Sequence, residues 1–261
     1  MDGAGDPDLL AFYARTDETT RLHAGEGRVE LIRTQRILRA VLEPRSRILD
    51  VGGADGVHAD WLTGDGHEVE IVDIVPAHVE GARARGFTAQ LADARMLPYE
   101  DASFDAVLLL GPLYHLTDAA DRSAALAEAH RVLRPQGQVA AAAVSRFAVA
   151  LGHLRAGRLD DPGARAMVSR IVAIGRDDTG FGAGIFAFHT VSELRGELTD
   201  AGFADVRVQG VEGPAWPLLD PHGAPDDPRI AQVVEVAELA DGDDAVTAAS
   251  CHLLALGRRP A

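Results

Sequence analysis

Ile48-Leu49-Asp50-Val51-Gly52-Gly53-Ala54-Asp55-Gly56 is the stretch whose reading decides the fold. Arg47 to Val51 reads as a short buried strand, and it runs into a turn of small residues that opens a helix over Ala54 to Leu62, ended by Gly64. Such a turn carries backbone N–H groups close to a bound ligand. Three kinds of site use it. A dinucleotide fold needs G-x-G-x-x-G, which neither Gly52 nor Gly53 starts, and a P-loop needs a lysine, which this chain lacks. What remains is a glycine-rich turn preceded by an acidic residue.

Outward from this turn the chain alternates. Strands are expected at Glu68–Asp73, Phe87–Leu91, Phe104–Leu110 and Gln138–Val144, separated by helices at Pro76–Arg85 and Thr117–Leu133. Strands that alternate with helices at this pace imply a doubly wound, mostly parallel α/β sheet, because parallel neighbours need crossover helices. Before the first strand, Val29, Leu31, Ile32, Leu38, Val41 and Leu42 mark an amphipathic helix closed by Pro44. After Val144 the rhythm breaks into an insertion over about 145–189, with helical pieces at Phe147–Gly157 and Ala164–Ile174. A helix capped by Ser192 and strands at Ala204–Val211 and Ser250–Leu256 complete seven strands. Gly213–Asp227, with four prolines, reads as a loop.

Composition narrows the chemistry. All 25 basic residues are Arg, and Asn is absent as well. No lysine means no internal pyridoxal Schiff base, and one Cys cannot build an intramolecular disulfide, an iron–sulfur cluster or a multi-cysteine zinc site. The histidines show no metal-ligand spacing, so no metal is expected. A net charge of −15 repels phosphate backbones and anionic membranes, which argues against nucleic-acid and membrane partners. With neither a secretory signal nor a long apolar run, a cytoplasmic protein is expected.

The strand–turn–helix at Asp50–Gly56 resembles motif I of the class I S-adenosylmethionine (SAM) methyltransferases, and the similarity extends from about Leu31 through the fifth strand. The resemblance implies a Rossmann-like sheet with SAM as cofactor. It places Asp50, Gly52, Gly53, Ala54 and Gly56 around the methionine end, Asp73 on the ribose hydroxyls with Ile74 against the adenine, and Asp93 and Ala94 at the adenine amino group. Ala54 stands where that motif has its middle glycine, and is harmless only at negative φ. Near the amino terminus, Tyr13 and Arg28 resemble the family's helical cover, Tyr13 closing over the methionine moiety and Arg28 pairing with its carboxylate. The expected division is a cover over 1–46 and a SAM-binding α/β domain over 47–261 that carries the insertion as a substrate lid.

Gly111-Pro-Leu-Tyr-His115 follows the fourth strand, where the resemblance puts the reacting methyl. Base and amide N-methyltransferases often carry Asx-Pro-Pro-aromatic there, and the departure points to the small-molecule branch. Gly111 then belongs to the cofactor site, His115 is the candidate base with an ordinary pKa of about 6.5, and Tyr114 stands beside it as wall or acid. Loss of rate below about pH 6.5 would mark that base. Arg146 and His189 flank the insertion as candidate substrate residues, and its six Arg against four Asp give it a local charge of +2. The expected activity is O-methylation of a small molecule in bacterial specialised metabolism. C- or N-methylation and a non-methylating SAM-binding role stay open, as does a homodimer.

Overall fold

The computed structural model describes residues 7–15, 18–182 and 184–261. Its centre is the quoted strand, β1 (Arg47–Val51), with Ile48, Leu49 and Val51 buried. β1 pairs in parallel with β2 (Glu68–Asp73) on one side and β4 (Phe104–Leu109) on the other. Outside them lie β3 (Thr88–Leu91) and β5 (Leu133–Ser145), also parallel. β8 (His252–Arg258) then runs antiparallel to β5 and to the edge strand β7 (Ala204–Gly210), giving the order β3-β2-β1-β4-β5-β8-β7. A two-residue β6 (Phe188–His189) pairs with the end of β5, an eighth strand beyond the seven expected.

Strand periodicity sorts the side chains onto two faces. Leu49, Val107 and Leu109 pack with α7 (Ala119–Val132) and α10 (Val191–Asp200), whereas Ile48, Ala106 and Leu108 pack with α3 (Gly25–Arg39) and Leu62 of α4 (Val57–Gly64). Asp50, two residues after Ile48, falls on the α3/α4 side. Because β2 and β3 are laid down on one side of β1 and β4 and β5 on the other, the chain reverses direction between β1 and β4. A crevice opens there at the carboxyl ends of the strands.

Caps set the helix boundaries. Pro76 opens α5 (Pro76–Ala84) at its first turn, and Asp118 accepts from Ala120 N–H to start α7. α10 is capped by Thr190 in a reciprocal capping box with Glu193, not by Ser192. The Arg134–Gly137 turn is absorbed into β5 as a register shift, with Gln136 at φ 67°. The insertion holds α8 (Arg146–Arg155) and α9 (Pro162–Ile174). Over the crevice lie α1 (Pro7–Tyr13), α2 (Glu18–Leu22) and α6 (Pro112–His115). α11 (Arg229–Leu239) packs Ile230, Val233 and Val234 against Val29 of α3.

Candidate active site

A cavity of about 240 Å³ fills the crevice. Its floor is the Gly52–Ala54 turn. Gly52 sits at φ 72°, and a Cβ there would lie 2.9 Å from the Pro112 ring; a Cβ on Gly53 would lie 2.7 Å from the Asp50 carboxyl group. Ala54 occupies the left-handed region at φ 49°, contrary to the negative angle its side chain prefers. That conformation costs roughly 1–2 kcal/mol in a residue with a Cβ. The turn holds it because Ala54 N–H donates to Asp73 Oδ2 at 3.0 Å. Gly56, at φ 93°, caps α4 against the Phe87 ring and does not line the cavity, unlike the other small residues expected there.

Three carboxylates end three successive strands, in three different states. Asp50 is 1% exposed, and neither of its oxygens has a hydrogen-bond partner among the described residues. Burial and then repulsion from Asp73 push its pKa up to about 7. Asp73 is also buried, but is fully engaged: Oδ1 accepts from Val75 N–H at 2.8 Å, Oδ2 from Ala54, and His78 Nδ1 lies 3.3 Å from Oδ2. Asp93 accepts from Arg95 at 2.9 and 2.6 Å, and Arg95 reaches on to Asp121. Burial works against the Asp93 charge, yet the Arg95 hydrogen bonds hold its pKa below the usual carboxylate range. Ile74, Ala94 and Gly111 line the same cavity.

An aromatic enclosure closes the other side. Tyr13 of α1 and His115 of α6 meet through Tyr13 Oη and His115 Nε2 at 2.7 Å, and His115 Nδ1 lies 3.4 Å from the Ile185 carbonyl. With Nδ1–H donating to that carbonyl, Nε2 is left as acceptor for the tyrosine hydroxyl. Burial pushes the His115 imidazole down to about 4, so it is uncharged at neutral pH, and the 6.5 expected from the residue type does not apply. Tyr114, Phe12 and Phe186 pack around it with ring centroids at 4.8, 6.1 and 4.9 Å. His78 packs edge-on to Tyr13 at 5.0 Å.

The far end of the cavity is polar, and its residues carry no motif. Arg21 of α2 forks onto Glu30 of α3 at 2.6 and 3.1 Å. Glu30 in turn lies 3.7 Å from His252 Nδ1 at the start of β8. Burial opposes the Glu30 charge, but Arg21 and His252 hold its pKa down to about 2. His252 itself stays charged: burial works against this, and Glu30 and Glu212 raise its pKa well above the ordinary value. His58 lines the same end, is pushed down to about 4 by burial, and accepts from Trp61 Nε1–H at 3.3 Å. Glu212, Cys251 and His252 bring three ligand-type atoms within 4.8 Å. Burial raises the Cys251 thiol pKa and Glu212 occupies His252 Nδ1, so the group is a hydrogen-bonded ion pair rather than a set of free metal donors.

Four expected residues lie off the cavity. Besides Gly56, Arg28 does not line it, and Arg21 stands at the wall instead. Arg146 pairs with Glu193 and the Ala173 carbonyl, and His189 is buried with Nε2 3.3 Å from Glu197. Both therefore tie the insertion to α10 and its own backbone. Two other insertion arginines are likewise paired, Arg155 with Glu26 of α3 and Arg170 with Asp178.

Comparison with known proteins places this geometry. The model of a family described as "Methyltransferase domain" matches residues 49–141, the span from the glycine turn to β5. The chain carries a methyltransferase domain of the class I SAM-dependent kind. It is 27% identical over 197 residues to a demethylmenaquinone methyltransferase of Mycolicibacterium vanbaalenii, covering 74% of this chain and 83% of the relative. It is 30% identical over 188 residues to 27-O-demethylrifamycin SV methyltransferase of Amycolatopsis mediterranei, covering 67% and 61%. A SAM-dependent methyltransferase from Mesorhizobium loti shares the fold at a TM-score of 0.59 and 22% identity, over 87% of this chain and 98% of that one. The cofactor of this methyltransferase is SAM, and the cavity suits it: an unpartnered buried carboxylate at Asp50 calls for a cationic group. Among the described residues no helix is long and apolar enough to cross a membrane.

Proposed function

We propose that the methyltransferase methylates a hydroxyl oxygen of a small molecule, with His115 as proton acceptor. The observation that carries this reading is an uncharged, largely buried imidazole at the cavity wall, directly after the Gly111–Tyr114 turn. Asp50, Gly52, Gly53, Ala54, Asp73, Ile74, Asp93, Ala94, Gly111 and Tyr13 would hold the cofactor. SAM supplies an electrophilic methyl on a sulfonium. The remaining task is alignment of the acceptor and exclusion of water, which the rings of Phe12, Tyr13, Tyr114 and Phe186 serve. An acceptor hydroxyl takes the place of Tyr13 at His115 Nε2 and gives up its proton there as the oxygen gains its methyl. The relative named for an oxygen position of rifamycin supports an oxygen acceptor.

The test is methyl transfer from labelled SAM to a panel of phenols, enols and alcohols, followed by pH profiles of kcat/KM. His115→Ala should lower kcat by about 10²–10⁴-fold. The wild-type rate should hold down to about pH 5 and fall toward pH 4, an acid limb absent from the variant. Full activity in His115→Ala, or label found only on carbon or nitrogen, refutes the proposal.

A further inference from the structure

The polar end of the cavity is built around one ring. Glu212 Oε1 lies 2.5 Å from His252 Nδ1, and Glu212 Oε2 accepts from the Ser250 hydroxyl at 2.9 Å and from His252 N–H at 2.8 Å. Ser250 Oγ in turn accepts from the N–H groups of Glu212 and Gly213. Both oxygens of Glu212 therefore hold donors, and backbone groups fix them. Each oxygen of Glu30 likewise accepts one bond from Arg21. Two carboxylates, one guanidinium and one imidazolium make the cluster neutral, with each carboxylate oxygen already bonded to a donor.

What the cluster does present to the cavity is the other edge of His252. The residue lines the cavity with Val211, Leu254 and Ala142, and its Nδ1 is taken by Glu212. Cys251 beside it also bonds the ring and favours its charged form. The second nitrogen, Nε2, is an N–H donor on that charged ring. Such a donor makes its strongest hydrogen bond to an anionic oxygen. Tyr114 stands between the two histidines, its ring 4.8 Å from His115 and 6.4 Å from His252.

We infer that His252, held in place by Glu212, binds a carboxylate of the acceptor, so that the substrate is a small hydroxy acid with its hydroxyl toward His115 and its carboxylate toward His252. The inference rests on the acceptor site proposed above and adds the acceptor's charge. The positive groups of the insertion do not supply this contact, since none of its six arginines lines the cavity. An amine would meet no unpaired negative charge here, and an apolar guest would leave the Nε2–H without a partner.

The experiment is calorimetric titration of the protein saturated with S-adenosylhomocysteine. The probes are benzoate, 4-hydroxybenzoate, phenylpyruvate and hexanoate, each against its own amide. At least one acid should bind tenfold or more tightly than its amide. In His252→Gln that preference should fall below about threefold. Glu212→Gln, close in shape, keeps an Nε2–H donor but removes the carboxylate that holds the ring charged, and should give an intermediate preference. The ring ¹⁵N signals lost in His252→Gln should shift in the wild type on adding the preferred acid, a response that a purely structural histidine would not give. Retained S-adenosylhomocysteine binding in both variants reports that they fold, and if His252→Gln does not, Glu212→Gln and the ¹⁵N response decide. No acid preference anywhere in the panel, or a preference unchanged by the variants that fold, overturns the inference. Methylation of neutral hydroxyls with that result leaves the oxygen-methylating reading standing; acid binding through His252 without oxygen methylation does the reverse.

Discussion

Replacing Asp50 with Asn should stabilise the cofactor-free methyltransferase at neutral pH while weakening its hold on the cofactor. The carboxyl group is 1% exposed and has no hydrogen-bond partner among the described residues. Its pKa stands at about 7 against an ordinary 3.8, so between those values the unfolded chain has lost a proton that the folded chain keeps. Stability is therefore greatest below pH 3.8 and is lost as pH rises through the interval to 7. At about 1.4 kcal/mol per pH unit the full loss is roughly 4 kcal/mol. Asparagine removes that penalty but leaves a buried amide lacking partners, at about 1–3 kcal/mol. The net gain at pH 8 is about 2 kcal/mol, or roughly 4–8 °C in Tm for a chain of this size; it vanishes near pH 5 and turns into a loss of about 2 kcal/mol near pH 4. Thermal melts of both proteins without ligand from pH 4 to 8.5 measure it directly. Calorimetry should show S-adenosylhomocysteine binding at least about tenfold weaker in the variant, the loss of a charge-assisted hydrogen bond. An Asn variant no more stable than wild type at pH 8 would mean that the native carboxylate is already compensated, and the reasoning fails.

Other substitutions probe neighbouring features. Gly53→Ala places a methyl 2.7 Å from the Asp50 carboxyl group and 3.1 Å from Ile71; denaturant unfolding should show a loss of about 1–3 kcal/mol, and unchanged stability would refute the tight approach. Ala54→Gly relieves the left-handed strain at φ 49°, and after the entropy of the freer unfolded chain a gain of about 0.5–1 kcal/mol should remain in thermal melts. His58, held at about 4 against an ordinary 6.5, contributes stability that is present above pH 6.5 and lost as pH falls to 4. Urea unfolding of His58→Gln at pH 7 and pH 4.5 should show an acid loss smaller than wild type by about 2 kcal/mol, and an equal loss in both proteins would count against the assignment.

The sheet was legible because its signals are local. Ile48–Val51 and Phe104–Leu109 are apolar enough to be buried strands in any context, and the carboxylates at 50, 73 and 93 follow three strands in register. The Gly52–Gly56 turn could be assigned to a ligand, but the φ of Ala54 could not, because a hydrogen bond from its N–H to the Asp73 carboxylate, 19 residues on, imposes it. The polar end of the cavity was invisible for the same reason. Arg21, Glu30, Glu212 and His252 come from two amino-terminal helices, a loop and the last strand, and only tertiary packing brings them together. α11 could have been found, since Ile230, Val233, Val234 and Ala237 carry the helical period. Arg146 and His189 were placed by flanking position alone, and the actual boundary of the insertion uses them as ties. The His115 environment needed Tyr13, Phe186 and the Ile185 carbonyl in place before its pKa could be judged.

The pairing of β6 with β5 has a bearing on the length of the segment between them. Val144 lies opposite Phe188 and Ser145 opposite His189, and Ala187 N–H donates to the Tyr114 carbonyl at 2.8 Å. The chain thus leaves the sheet and returns to it at neighbouring positions, as a handle leaves and rejoins a cup. Closing a longer loop between fixed ends costs only about 0.6 kcal/mol per doubling of its length. A change in the length of the segment from 146 to 186 therefore costs little to the sheet that it leaves and rejoins.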